Sequence, residues 1–169
     1  MMGRIMPEIH SSNTEDKAQA AIRDILDSNR LLTLCSTASD GSSYGNAMYF
    51  AANGLDRLIV LTAPGAAHSR FAAADPRVAG TILDTAQPFG GDLKGLQFRG
   101  SWRRFSDDEG EGAYQIYAAR FPKLGDWAAS AGAMEEVGME SRFFEIRVHW
   151  YKVLHELELG KEVYIEVAP

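Results

Sequence analysis

The sequence predicts a mainly β domain, an antiparallel barrel with helices at its flanks, and three observations lead there. Six or seven runs carry apolar residues at strand spacing, most of them joined by short turns. Asn53-Gly54 separates two of these runs, and Asn-Gly supplies the positive backbone angles that a tight hairpin needs. Longer helical spacing occurs once ahead of the strands and once or twice late in the chain. Strand edges left open invite aggregation, so Greek-key or meander closure into a barrel is the favoured arrangement and an open sheet the alternative.

With 169 residues, 46% hydrophobic and 24% charged, the chain can bury one core and is too short for two. Lys and Arg total 17 against 23 Asp and Glu, a net charge of −6, which argues against general affinity for nucleic acid or an anionic membrane. Any anion site must be local. No apolar run approaches the roughly 20 residues of a membrane span, and the first residues have no secretory core, so a cytoplasmic location is expected. Cys35 is the only cysteine, which excludes an intrachain disulfide and a cysteine-rich zinc site. Its apolar surroundings predict a buried, inert thiol.

Residues 1–11 carry no pattern and are expected to form a flexible arm, leaving 12–169 as the single domain. Ser12-Asn13-Thr14-Glu15 fits a capping box, and Ala18, Ala21, Ile22, Ile25 and Leu26 then recur at helical spacing until Asp27-Ser28-Asn29. Strands follow over 31–37, 44–52 and 57–62. Ala63-Pro64-Gly65-Ala66-Ala67 cannot continue a strand, His68 to Ala74 can form a short helix, and Asp75-Pro76 stops it before a strand over 77–83. A long strand over 94–105 contains Gly95 and Gly100, where glycine suggests a bulge or a close backbone approach.

Ser106 to Glu109 is a second capping box, opening a helix through Ala113, Tyr114, Tyr117, Ala118 and Phe121 that Pro122 ends. A further helix is expected over 126–137, with Trp127, Ala131 and Met134 on one face. In the strand over 142–156, Phe144, Ile146, Val148 and Trp150 alternate with Glu145, Arg147 and His149. Gly160 breaks it, and residues 163–167 form the last strand. Trp102, Trp127 and Trp150 are expected to pack rather than to cage a ligand.

Several chemistries lose their signatures. His10, His68, His149 and His155 show no paired metal spacing, so no metal site is expected. There is no Gly-x-Ser-x-Gly elbow, no phosphate loop ending in Gly-Lys-Ser/Thr, and no Gly-x-Gly-x-x-Gly between strand and helix. Asp107, Asp108, Glu109, Glu135 and Glu136 sit at presumed helix ends, as solvated capping charges do. Three positions stand out. Asn46 is polar in a strand suited to burial, serving an internal hydrogen bond or a ligand contact. His68 and Arg70 stand at the start of a helix, where exposed amides and the helix dipole favour an anion. Arg120 ends a helix, where a cation is favoured on structural grounds alone.

Taken in order, Asn46-Ala47-Met48-Tyr49, Leu61-Thr62, His68, Asp75-Pro76-Arg77-Val78-Ala79-Gly80-Thr81, Gly95-Leu96-Gln97-Phe98-Arg99-Gly100 with Arg103-Arg104, Tyr117 to Pro122 and Phe144-Glu145-Ile146-Arg147 resemble the pyridoxamine 5′-phosphate oxidase family. In particular they resemble the small bacterial YhbP-like branch, and the resemblance covers roughly residues 15–165. It implies a six-stranded antiparallel Greek-key split β-barrel and a homodimer with flavin sites across its interface. By position, Asn46, Ala47, Met48 and Tyr49 would lie against the flavin, with Leu61 and Thr62 continuing that floor. The loop after Thr62, with His68, Ser69 and Arg70, would hold the phosphate. Gln97 and Arg120 would serve the substrate or the second subunit. The sequence departs from the oxidases where Asn46 replaces an arginine and Ala67-His68 replaces an Arg-Lys pair.

The resemblance therefore implies an FMN-binding oxidoreductase acting on an unidentified small molecule, with FAD or a deazaflavin as alternative cofactors and no identifiable catalytic acid or base. The substrate residues of the true oxidases are not reproduced, so pyridoxamine phosphate oxidation is not expected. Two other readings stand beside it: a non-catalytic protein that binds or stores a flavin or another planar anion, and a haem-binding split barrel using one of the four histidines.

Overall fold

The computed structural model describes residues 12–169. The expected N-terminal arm, His10 within it, and the Ser12 side chain of the first capping box lie outside what is described. The first helix, α1, spans Ser12–Ser28, and Ala18, Ile22, Ile25 and Leu26 form its buried stripe. Strands β1 (Leu31–Thr37), β2 (Ser43–Asn53) and β3 (Arg57–Thr62) form an antiparallel meander. The β2–β3 turn holds Gly54 at φ +73°, the left-handed conformation that its Asn-Gly predicts. Helix α2 (Ala67–Ala74) then carries the chain to β4 (Arg77–Leu83), which pairs with β1 rather than with β3. Strand β5 (Lys94–Arg104) pairs with β4, and the long β6 (Arg142–His155) pairs with β5 along one edge and with β3 along the other.

That last pairing closes a six-stranded antiparallel barrel in the order β3-β2-β1-β4-β5-β6, with β7 (Tyr164–Val167) appended to β6. The crossing from β3 to β4 makes it Greek-key. Inside lie Leu32, Leu34, Phe50, Leu58, Val60, Ile82, Leu96, Phe98, Ile146 and Tyr151, with α1 packed over them. A second apolar cluster forms outside β3 and β6. There Ile59 and Phe143 meet Tyr114 and Tyr117 of α3 (Asp107–Arg120). No helix is long and apolar enough to cross a membrane among the described residues.

Several expectations are corrected. Cys35 is exposed, because β1 alternates strictly and turns Leu32, Leu34 and Ser36 inward. The helix expected over 126–137 divides into a 3-10 turn, Pro122–Asp126, and a short α4, Ala131–Glu136, restarted where the Ser130 hydroxyl accepts the Ala133 amide. Trp127 falls between them and is 57% exposed. In β6 the alternation breaks at a bulge: Val148 faces Gly100 and Trp150 faces Arg99, leaving His149 unpaired. Tyr151, not Trp150, thus enters the core, and Trp150 lies outside beneath the Arg99 guanidinium at 4.4 Å. Glu145, expected on a polar face, is buried between Arg103 (2.6 Å) and Arg57 (3.4 Å). The strand also ends one residue early, in a single helical turn, α5 (Glu156–Leu159).

Closure depends on two close approaches. A Cβ on Gly80 would lie 2.2 Å from the Thr33 carbonyl oxygen, and one on Gly100 would lie 2.4 Å from that of Arg147. Neither backbone neighbour can rotate away as a side-chain tip could. Gly100→Ala is therefore expected to cost about 3 kcal/mol, read as a fall in thermal midpoint of roughly 6–12 °C. Gly112→Ala, with nothing within 4 Å of its Cβ, is the control.

Candidate functional site

The barrel wall parts at one place. β2 pairs with β3 only from Phe50 to Asn53, so residues 43–49 are bonded on the β1 side alone. Beyond Val60, β3 follows β6 instead, with Leu61 opposite Phe143 and Thr62 opposite Arg142. The edge of β2 over Asn46 to Tyr49 therefore presents backbone donors and acceptors that no strand takes up. Side chains alternate along it: Met48 is buried in the core, while Ala47 and Tyr49 are exposed. Tyr49 meets Phe121, just past α3, edge-on at 5.5 Å.

The loop after β3 closes one end of this split. Ala66 is extended (φ −63°, ψ 150°) and starts α2 without any side-chain cap, so the first-turn amides of Ala67, His68 and Ser69 are left without one. The helix is seated by Phe71 against Tyr44, ring centroids 5.3 Å apart. Thr62 Oγ1 and His68 Nε2 share a hydrogen bond of 2.8 Å. Burial pushes His68 below its ordinary value of 6.5, so the imidazole is neutral at pH 7. Arg70 is exposed, and its guanidinium donates to the Gly65 carbonyl, stapling the loop.

The structure thus brings Thr62, His68 and Arg70 together at the start of α2, at the same end of the barrel as Asn46. Ser69 is different: it is 2% exposed and turns into the barrel, away from any ligand outside. Asn46 is half-buried and faces inward with Met48, its Oδ1 shielded and unpartnered. Leu61 packs against the α3 cluster. Gln97 is exposed on the outer face of β5, between Thr81 and Lys152, and lines a 240 Å³ groove with Leu83, Leu93 and Tyr164. Arg120 is committed to structure. Its Nη2 donates to the carbonyls of Leu26 (2.6 Å) and Asn29 where α1 ends, and its guanidinium lies over the Phe50 ring at 5.1 Å.

Trp102 packs as expected, stacked on Phe144 at 4.7 Å, but sequence reasoning missed that its ring also meets His68 edge-on at 6.4 Å. Its parity with Phe98 in β5 was the available signal. A larger cavity of about 620 Å³ lies at the opposite end, between α1, α5 and the loop before β5. On its wall Lys94 Nζ (2.8 Å) and His155 Nε2 (3.1 Å) both meet Asp24 Oδ2. The Lys94 hydrogen bond in particular holds the Asp24 carboxyl below the usual range. This network ties α1 to the barrel and is remote from the split. Among the described residues no group of three or more His, Cys, Asp or Glu could hold a metal.

Chemically, the split offers a strand edge that can hydrogen-bond the rim of a planar heterocycle, and helix-start amides that suit an anion. Among the described residues it offers no carboxylate or lysine poised for proton transfer.

Solved structures share this fold. A heme binding protein from Mycobacterium smegmatis superposes with a TM-score of 0.68 at 18% identity, over 95% of this chain and 59% of that one. A FAD-binding protein from Mesorhizobium loti gives 0.58 at 22% identity, over 78% and 90%. An F420 reductase gives 0.54 at 20% identity, over 76% and 94%. No curated protein matches the chain. The family model for pyridoxamine 5′-phosphate oxidase matches residues 18–155, most of the barrel from α1 to the end of β6. With the closed barrel and its split β2 edge, that match places the chain in the pyridoxamine 5′-phosphate oxidase family.

Proposed function

We propose that the protein binds a flavin, FMN by preference, and acts as a homodimeric flavin-dependent oxidoreductase on a small molecule. The observation that carries this is the unpaired β2 edge over residues 43–49 ending beside the uncapped start of α2. The residues present fit such a group, although Arg70, the fixed charge among them, is turned onto the Gly65 carbonyl. The backbone of Ala47 and Met48 would meet the ring, and Thr62, His68 and the Ala67–Ser69 amides would meet the phosphate. The flavin supplies the electron chemistry when bound, and the protein supplies orientation and exclusion of water. A FAD-binding neighbour and an F420 reductase on the same fold support the reading. FMN added to the purified protein should give a perturbed flavin spectrum retained through gel filtration. Absence of binding at high micromolar FMN would refute the proposal.

With His68 pushed toward its neutral form and Arg70 engaged on Gly65, the phosphate would rely mainly on neutral donors, the helix-start amides and the Thr62 hydroxyl. Charge-assisted contacts are about twice as strong as neutral ones, so His68→Lys is expected to tighten FMN binding about tenfold, measured by fluorescence quenching. Unchanged affinity would move the phosphate away from residue 68.

The same deficit favours a second reading, binding without turnover. In that case no added substrate would speed reoxidation of the reduced flavin beyond the rate with oxygen alone. A haem role gains support from the neighbour that binds heme. Against it, His68, His149 and His155 each already have an Nε2 partner, in Thr62, Ser101 and Asp24. A Soret band on haem titration would promote it.

For the dimer, the support is the outer face of β1, β2 and β4, where Leu31, Thr33, Cys35, Ala47, Tyr49 and Ala79 are exposed and uncharged. Ala47→Arg would bury a charge in a self-complementary contact. Light scattering should show dimer mass for the parent protein and monomer mass for the variant. A monomeric parent would refute the assembly.

A further inference from the structure

Four polar atoms at the α2 end of the barrel are buried and have no hydrogen-bond partner among the described residues: Ser36 Oγ, Asn46 Oδ1, Ser69 Oγ and Trp102 Nε1. They come from four different elements, β1, β2, α2 and β5. Ser36, Ser69 and Trp102 are only 5%, 2% and 4% exposed as whole residues. Their placement is common. Leu34 pairs with Asn46 and Ser36 with Tyr44, so Ser36 and Asn46 are diagonal neighbours on the inner face, about 7 Å apart. Ser69 and Ala72 form the buried side of α2, which packs on β1, β2 and β5. Trp102 leaves the end of β5 beside Pro76 and reaches the His68 ring, one residue before Ser69.

The remaining buried atoms without partners do not belong to this set. Tyr151, whose Oη is one of them, pairs with Phe98 midway along β5, and His155, whose Nδ1 is another, pairs with Lys94 at the far end. Arg120 Nε lies where α1 ends, beside the Phe50 ring, and Glu145 Oε1 faces Arg57 in the outer network.

An isolated buried polar atom is destabilising when nothing satisfies it, and native interiors rarely leave such groups unpaired. Four at one barrel end call for a shared partner. An indole N–H can only donate, an amide oxygen can only accept, and the two hydroxyls can do both. The complement must therefore both donate and accept. It must also be small and neutral, because no charge among the four would balance a buried ion. We infer that this end of the barrel is a built hydration site, in which a small cluster of ordered water bridges Ser36, Asn46, Ser69 and Trp102 and holds the first turn of α2 on the barrel mouth. The water lies inside the wall, whereas the proposed cofactor lies outside it, so the site does not depend on flavin binding.

The sign of a stability change distinguishes a hydrated site from a dry one. If the four atoms are dry, deleting a hydroxyl removes a desolvation penalty and raises the melting temperature. If they hold water, deletion strands the water and lowers it, by about 3 °C per site. Ser36→Ala and Ser69→Ala bracket the intrinsic effect of alanine, which is mildly unfavourable in a strand and favourable in a helix. Both are expected to melt lower than the parent, and the double variant should lose less than the two losses added, since the water is shared. Oxygen-17 relaxation dispersion on the same proteins counts long-lived internal water directly, and the count should fall in each variant. A higher melting temperature in both variants, or a water count unchanged from the parent, would overturn the inference.

Discussion

Two absent side chains set the dimensions of this barrel. At Gly80 the β4 backbone lies so close to β1 that a Cβ would meet the Thr33 carbonyl, and at Gly100 the β5 backbone presses on Arg147 in β6. These contacts lie on the β1–β4 and β5–β6 seams, to either side of the β4–β5 pairing, along the part of the wall that runs from the first meander to the closing strand. The bulge at His149 falls beside Gly100, where an extra residue bends β6 and increases its twist. One half of β6 can then pair with β3 while the other half pairs with β7. Closure and the division of inner from outer side chains both follow from that bend.

With the wall so bent, β3 cannot follow β2 along its whole length. It leaves at Phe50 and runs with β6, and the split is the gap that remains. Polar tethers hold the outer helices to this frame. Arg120 joins α3 to the last carbonyls of α1. Glu109 accepts from the Ser106 amide at the start of α3 and also pairs with Arg103, which reaches Glu145 in β6. Burying Glu145 is costly in isolation, and two arginines with a 2.6 Å contact offset it. A network of this kind contributes little net stability but penalises any other docking of α3.

Much of this was legible in the sequence because it is local. Asn53-Gly54 marks a hairpin, Pro76 stops α2, and Ser106 with Glu109 starts α3, each through neighbours a few residues away. Family membership was legible for a different reason, the order of many weak motifs. What could not be read depends on pairing between distant strands. The bulge that turns Trp150 outward needs β5 as a reference. Glu145 reads as solvent-facing until α3 and the outer cluster cover β6. Cys35 reads as buried when its run is taken as apolar throughout, and strand parity alone corrects it. At the candidate site, His68 was visible as a helix-start residue. Its hydrogen bond to Thr62 and its contact with Trp102 were not, because they join β3, α2 and β5.

The split is made by register, not by side chains, and this bears on what the fold can conserve. The free β2 edge persists wherever β3 departs at the same point, whatever residues line it. Charge at the start of α2 is carried by individual side chains and can be lost one substitution at a time. In this chain the edge is retained, while position 68 holds an imidazole made neutral by burial and Arg70 is turned back onto Gly65. For the proposed cofactor, recognition of the ring by backbone would thereby be separate from recognition of the phosphate by charge. A fold in which those two functions are separable can keep its architecture while the bound group changes, as the heme- and FAD-binding neighbours that share it illustrate.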